Sequence, residues 1–217
     1  MSEPSSAFRE AKAERNILTW IFGWHPVVGP VMVGFFVAGV GYYLGQLYLF
    51  ALIGLLLGVP IWYLGHRSIN RHWETLRAAY MQDLEQYGPA ALHAAGMDED
   101  GELFVLTETP DGTMPLIEAP STIEVTLVGI DDTGLWINDE SKLDLMFLKA
   151  AVNTTPMAVY QFPWSNLAGV TYEDGTLHVE PERETEDVEP FETTLSTAPT
   201  ELLSAIERRR LEPAADH

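Results

Sequence analysis

Two histidines, His25 and His66, lie equally far in sequence from the Gly45-Gln46 step, near the ends of a run from Asn16 to His66 that contains no Asp, Glu, Lys or Arg. If the chain reverses at that step, two antiparallel helices bring both imidazoles to one depth, where their nitrogens can ligate a haem iron or approach a quinone headgroup. Haem also needs the two rings to face each other across a gap, which equal depth does not supply. The plainer reading is a pair of interfacial histidines capping helix ends beside Trp24 and Arg67. Other chemistry finds little footing. The sequence has no GxSxG elbow, no Gly-rich phosphate loop and no HExxH helix. The acidic MDEDGE at residues 97–102 lacks the spacing of a calcium loop, and with Glu180 to Glu189 it reads as a solvated charged segment. There is no cysteine, which removes disulfides, thiolate metal sites and thiol nucleophiles. The expectation is a protein that is not an enzyme and carries no cofactor, with a redox subunit contacting haem or quinone at the His25/His66 face as the alternative.

The uncharged run decides what must position those histidines. A bilayer core about 30 Å thick takes roughly 20 helical residues per crossing, so Pro26 to Leu64 holds two crossings and far exceeds one. Gly45 frees the backbone for a turn, Gln46 is the one side-chain amide in the span, and Tyr42, Tyr43 and Tyr48 cluster there as an interfacial belt. Trp20, Trp24, Trp62 and Tyr63 mark the other face. Helices are therefore predicted near 26–44 and 47–65, with 1–25 as an N-terminal segment bearing an interfacial helix and 26–66 as a transmembrane hairpin. Arg9, Lys12, Arg15, Arg67, Arg71 and Arg77 flank the hairpin and its turn has no cation, so both termini are expected in the cytoplasm of a cell-membrane protein. Gly41 with Gly45, and Gly54 with Gly58, form small-xxx-small pairs suited to close helix packing, and together with Gly34 and Gly39 they exceed what one helix pair needs.

Beyond the membrane, 67–96 reads as a helical connector. Ile69, Trp73, Leu76, Tyr80, Leu84 and Tyr87 form an apolar stripe at helical spacing, open either to a protein partner or to the chain's own domain. Gly88-Pro89 ends that helix, a short helix over 90–95 stops at Gly96, and LFVL is strand-like. From Thr122 the period becomes alternating: TIEVTLVGI, GLWIN, LDLMFLKAAV, AVYQFPW, LAGVTYE, TLHVE and PFETTLS read as seven strands, and Pro199 to Leu211 as a closing helix. The fold class is a membrane α-helical hairpin joined to an α+β domain over 97–217.

Charge is divided as sharply as hydropathy. Of 32 acidic residues only 6 precede Gly96, balanced there by 6 bases, so the second half carries the whole net charge of −20. Such a surface repels nucleic acid and anionic headgroups, and its self-repulsion is relieved by concentrated salt. The composition resembles that of haloarchaeal proteins. Seven strands and a closing helix, with Phe162, Pro163, Trp164, Leu167, Val170, Leu177 and Val179 in QFPWSNLAGVTYEDGTLHVE, resemble the bacterial-type pleckstrin-homology-like domain over about 120–211. The resemblance implies a small β-barrel scaffold suited to protein contact. Lipid binding in eukaryotic relatives depends on basic residues in the first hairpin, where this chain has Asp131 and Asp132, so no phosphoinositide is expected. The functional expectation is a membrane-anchored scaffold or accessory subunit, working as a homo-oligomer or with protein partners, with Ile69, Trp73, Leu76, Tyr80 and Trp164 as possible contact residues.

Overall fold

A computed structural model of the chain describes residues 6–108, 116–183 and 189–211. Four helices open it: α1 (Ser6–Ala13), α2 (Ile17–Gly23), α3 (Val28–Tyr43) and α4 (Leu47–Tyr87). The reversal between α3 and α4 falls where expected. Gly45 sits at φ +71°, a left-handed conformation that glycine adopts without strain, and the Gln46 N–H closes the turn onto the Gly41 carbonyl at 2.8 Å.

The helix on the C-terminal side runs unbroken for 41 residues through Pro60, and its apolar first half makes α4 the one helix, among the described residues, long and apolar enough to cross a membrane. The other predicted crossing is shorter than 26–44. The 16 residues of α3 span about 24 Å, less than a hydrocarbon core of about 30 Å. Its start is set back because Pro26 lies in the link from α2, and α2 lies apart as its own helix, capped by Asn16, whose Oδ1 accepts from the N–H groups of Leu18 and Thr19.

The glycines explain the closeness of the hairpin. A Cβ on Gly54 would lie 2.7 Å from the Gly34 Cα, one on Gly58 2.5 Å from the Pro30 Cα, and one on Gly41 2.4 Å from the Phe50 Cβ. Gly45 belongs to the turn, with open space around it, rather than to packing. The supposed surplus of close-approach sites is thus largely used between α3 and α4, and Gly39, like Gly45, meets nothing within 4 Å.

After α5 (Pro89–Ala95) come eight strands: β1 (Glu102–Thr107), β2 (Thr122–Ile130), β3 (Gly134–Asp144), β4 (Lys149–Ala151), β5 (Tyr160–Pro163), β6 (Leu167–Glu173), β7 (Thr176–Pro181) and β8 (Phe191–Thr194), followed by α6 (Thr200–Leu211). They form two antiparallel sheets, β1-β2-β3-β4 with β5 also on β3, and β6-β7-β8. No barrel closes. Among the described residues an isolated bridge, Glu108 to Leu195, joins the sheets at one side together with the Ser196 N–H on the Thr107 carbonyl, and at the other the chain passes from β5 to β6 through Trp164–Asn166 without pairing those strands. The predicted strands GLWIN and LDLMFLKAAV are divided differently. Gly134 to Asp144 is one strand interrupted by a bulge, where Thr126 of β2 faces both Asp139 and Glu140 of β3, and β4 is a short return. Residues 184–188 of the acidic Glu180 to Glu189 segment lie outside the described residues.

Sheet one is the middle layer. Ile123, Val125, Leu127, Trp136 and Leu143 face the helices, while Val128, Ile130, Leu135 and Ile137 face the second sheet and α6. The stripe on α4 closes the first of these cores. Ile69, Leu76, Tyr80 and Leu84 are fully buried and Trp73 packs beside them. The expected partner contact at Ile69, Trp73, Leu76 and Tyr80 is therefore an internal one: each fully buried aliphatic side chain stabilises by about 1.5–3 kcal/mol, which the chain's own α1, α2 and first sheet supply without a second copy.

The tightest approach in the helical part lies between α2 and α4, where a Cβ on Gly65 would fall 2.0 Å from the Thr19 carbonyl oxygen and 2.8 Å from the Gly23 Cα. Gly65→Val is expected to destabilise by about 1–3 kcal/mol through overpacking, whereas Gly39→Ala, facing open space, stays within about 1 kcal/mol of the native protein. Thermal unfolding of both variants in detergent measures the contrast; equal stability of Gly65→Val and native protein would rule out the backbone contact.

Candidate functional site

The histidine end of the hairpin is built around this α2–α4 contact. Trp20 and Trp24 turn inward and are fully buried, and Trp20 Nε1 donates to the Leu145 carbonyl at 2.7 Å, seating the β3–β4 turn directly on α2. Asn70, one turn beyond His66, ties the loop after β1 to α4: its Nδ2 donates to the Leu116 carbonyl at 3.3 Å and its Oδ1 accepts the Glu118 N–H at 3.2 Å. At the far end of the stripe the carboxylate of Asp83, fully buried, accepts the Phe8 N–H at 2.9 Å and so anchors the first turn of α1. Tyr80 reaches the Ala151 carbonyl at 3.3 Å, and burial pushes its phenol above the usual range against the opposing effect of a hydrogen bond with Ser141.

His66 and His25 are held differently. The His66 ring stacks on Trp62 with centroids 5.4 Å apart and planes 22° apart, and Nε2 stands 3.5 Å from Asn70 Nδ2, a long contact in which the amide is the only possible donor if the ring is neutral at that nitrogen. Nδ1 is buried without a hydrogen-bond partner. His25 lies in the α2–α3 link, where its carbonyl accepts the Gly29 N–H at 3.1 Å. A Cβ on Gly23 would lie 2.6 Å from the His66 backbone nitrogen, which brings the link to the depth of His66. The same contact closes the space between α2 and α4, so it gives a macrocycle held between the two rings no support. Among the described residues His66 has ring contact with Trp62 and not with His25.

The other notable node is the β2–β3 turn. Asp131 is buried, not presented to solvent: Oδ1 accepts from the Thr133 N–H (2.8 Å), Thr133 Oγ1 (2.6 Å) and the Gly134 N–H (3.0 Å), while Oδ2 accepts from the Asp98 N–H (3.0 Å) and Trp136 Nε1 (2.9 Å). Burial on its own would raise the pKa of this carboxyl, but the donors, Thr133 foremost, outweigh it and hold the group below its ordinary value. Trp164 Nε1 donates to the Asp131 carbonyl at 2.9 Å, so Trp164 locks the passage between the sheets and is half-buried rather than a free contact face. Asp132 pairs with Arg209 at 2.6 Å, Glu102 with Arg208 at 2.6 and 2.8 Å, and Arg210 donates to the carbonyls of Leu167 and Ala168. The basic last turn of α6 thus clamps both sheets, a role beyond the favourable dipole expected of it. Sequence reasoning missed Asn70 and Asp83, although an acid on the apolar face of a helix was a visible signal for the second.

Because the folded pKa of Asp131 is depressed, its contribution to stability is complete above the ordinary value of 3.8 and is lost as the pH falls through the lower folded value. Asp131→Asn is expected to cost about 1–3 kcal/mol at neutral pH. The two proteins' denaturation midpoints should converge on acidification below pH 3.8; a gap that stays constant into strong acid would exclude the charged carboxylate as the cause. Neither a family model nor a curated protein matches this sequence, so the function of these sites rests on their geometry.

Proposed function

We propose that the chain is a membrane-anchored, non-catalytic scaffold or accessory subunit that holds an acidic domain against one face of the bilayer and works with protein partners or with copies of itself. The observation that carries this reading is the change of exposure along α4. Only 11% of its most apolar 18 residues is buried, whereas Ile69, Leu76, Tyr80 and Leu84 beyond them are fully buried in the chain's own core. On α3, Phe35 and Phe36 are 75% and 63% exposed, so the hairpin turns apolar side chains outward over both helices. An outward apolar face of this extent requires lipid or protein around it. In the proposed arrangement α3 crosses together with α4, its shortness offset by the tyrosines at the turn and the tilt of the pair. Both termini lie on the cytoplasmic side, where the flanking arginines and lysines stand.

The two sheets and α6 form an opened relative of the pleckstrin-homology-like scaffold. Its acidic exterior suits concentrated salt and protein contact, and it disfavours nucleic acid and phosphoinositide. With the stripe and most glycines engaged internally, partner contact falls to the outward faces of α3 and α4, including the open side of Gly39. A second reading, a quinone-contacting redox subunit, draws on the Nδ1 of His66, a polar atom buried without a hydrogen-bond partner.

Single cysteines test the topology cleanly because the native chain has none. An impermeant thiol reagent applied to intact cells should label Gln46→Cys and leave Glu10→Cys and Ser196→Cys unlabelled until lysis; labelling of the latter two in intact cells reverses the orientation. Mild solubilisation in high salt, followed by size analysis, mass spectrometry and an absorption spectrum, tests the function. A defined particle larger than the 24.2 kDa chain with its detergent, lacking a Soret band, is the expected result. A bare monomer under several mild conditions would overturn the assembly. Bound quinone lost in His66→Ala but retained in Arg77→Ala would favour the redox reading instead.

A further inference from the structure

The chain has only 12 Lys and Arg residues against 32 Asp and Glu, yet five of the cations line one cavity. Arg9, Lys12 and Arg15 come from α1 and the link after it, Lys142 and Lys149 from β3 and β4, and these include all three lysines of the chain. One carboxylate, Asp144, shares the lining, Lys142 also pairs with Glu124, and Arg15 stands 3.8 Å from Glu14. The Nε of Arg15 is buried with no hydrogen-bond partner. In a protein of net charge −20, five of twelve cations on one cavity are an arrangement, not an average.

The cavity measures about 770 Å³, within the range of about 300–1,000 Å³ common for small-molecule sites. Its wall is apolar between the cations, formed in part by Phe8, Ile17 and Leu148. A free inorganic anion has no use for such a wall; an amphiphile does. The location agrees. Ile17 opens α2, which packs against Gly65 of α4 at the proposed membrane boundary, and the β3–β4 turn beside the cavity sits on Trp20 of α2. Around this mouth Ile17, Leu18 and Phe147 are exposed apolar side chains, as expected at the level of headgroups.

We propose that this cavity binds one anionic phospholipid, with its phosphate among the five cations and the start of an acyl chain along the apolar wall, so that α1 and the β domain are fastened to the bilayer surface through a shared lipid. The site lies between elements, and three of its cations come from outside the acidic domain, so it is compatible with an exterior that otherwise repels anionic headgroups. The proposal rests on the membrane-anchored reading above.

The full chain is first floated with phosphatidylcholine vesicles, then reconstituted into bilayers of equal phosphatidylcholine and phosphatidylglycerol and extracted in mild detergent, and the retained lipid is counted by native mass spectrometry. Phosphatidylglycerol should be retained in preference by about tenfold, at roughly one strong charge contact per lysine. The double variant Lys12→Gln/Lys149→Gln should lose that preference, Lys12→Arg/Lys149→Arg should keep it, and Arg77→Gln/Arg183→Gln, which removes as much charge away from the cavity, should keep it too. Flotation without any preference, or equal loss in the Arg77/Arg183 variant, would overturn the lipid site and leave the anchoring intact. Complete displacement by millimolar inorganic phosphate would overturn it in favour of a free-anion site. A chain that floats with no vesicle would overturn the anchoring and the lipid site together.

Discussion

The structure depends on α4 remaining a single helix. Its 41 residues extend about 60 Å, and four parts of the chain lean on it: α3 along its first half, α2 at Gly65, α1 at Asp83, and the first sheet along the stripe from Ile69 to Leu84. Two surroundings are written along one rod. The first half has small residues on the side facing α3 and large apolar residues outward; the second half reverses this, with its apolar face inward and Arg67, Arg71 and Arg77 outward. A break between the halves would leave the domain free to swing. Continuity fixes it, because helix and sheet share a core containing Leu76, Leu84, Leu127 and Leu143 with no linker between them.

A sheet pressed between helices on one side and a second sheet on the other must be apolar on both faces, and that accounts for most of β2. From Val125 to Ile130 every residue described is buried. The run TLVGI was visible in the sequence, and the reading of it as an alternating barrel strand missed what continuous hydrophobicity implies. In β3 the bulge at Asp139-Glu140 shifts the phase of the strand: Trp136, at an even position, and Leu143, at an odd one, face the same core. One strand therefore resembles two when judged by alternation alone. Even so, the helical hairpin, its turn at Gly45, the short α5 with Gly96 after it, and the closing helix α6 were legible, because each is set by local backbone chemistry or by a long uninterrupted hydropathy signal.

What a surface meets was less legible than what it is made of. The stripe on α4 was evident at helical spacing, but spacing does not say whether the partner is another chain or the same one. The glycines were evident too, and their partners at Pro30, Gly34 and Phe50 became clear only from the packing. At the candidate site the expectation of a common depth for His25 and His66 came from counting residues away from the turn, and the contact that forms is between Gly23 and the His66 backbone. The stacking of His66 on Trp62, the Asn70 clamp and the seat of Trp20 on Leu145 involve residues 4, 46 and 125 positions apart, respectively, or arise from side-chain orientation, and no pattern in the sequence encodes them. The gathering of Lys12, Lys142 and Lys149 is of the same kind: net charge described the domain well and concealed its exception.

The carboxylates also divide by environment. Asp131 is held in its ionised form by donors, whereas burial raises the pKa of Glu108 and, with the neighbouring charge of Glu140 adding to it, that of Asp139. The charge on Asp139 is in turn the leading cause of the raised phenol of Tyr160 on β5. A raised carboxyl contributes stability that is present below its ordinary pKa and lost as the pH rises to the folded value, so Glu108 and Asp139 oppose Asp131 on acidification. Salt acts on a different subset. At 1 M ionic strength exposed charges are screened over about 3 Å, while partly buried pairs are screened much less. Asp139 is half-buried but Glu140 beside it is exposed, so salt weakens their repulsion at the β3 bulge along with that among the other exposed carboxylates, while the burial that raises Asp139 is untouched by it. Where α6 supplies an arginine, to Glu102 and to Asp132, the fold has already provided locally what salt provides elsewhere.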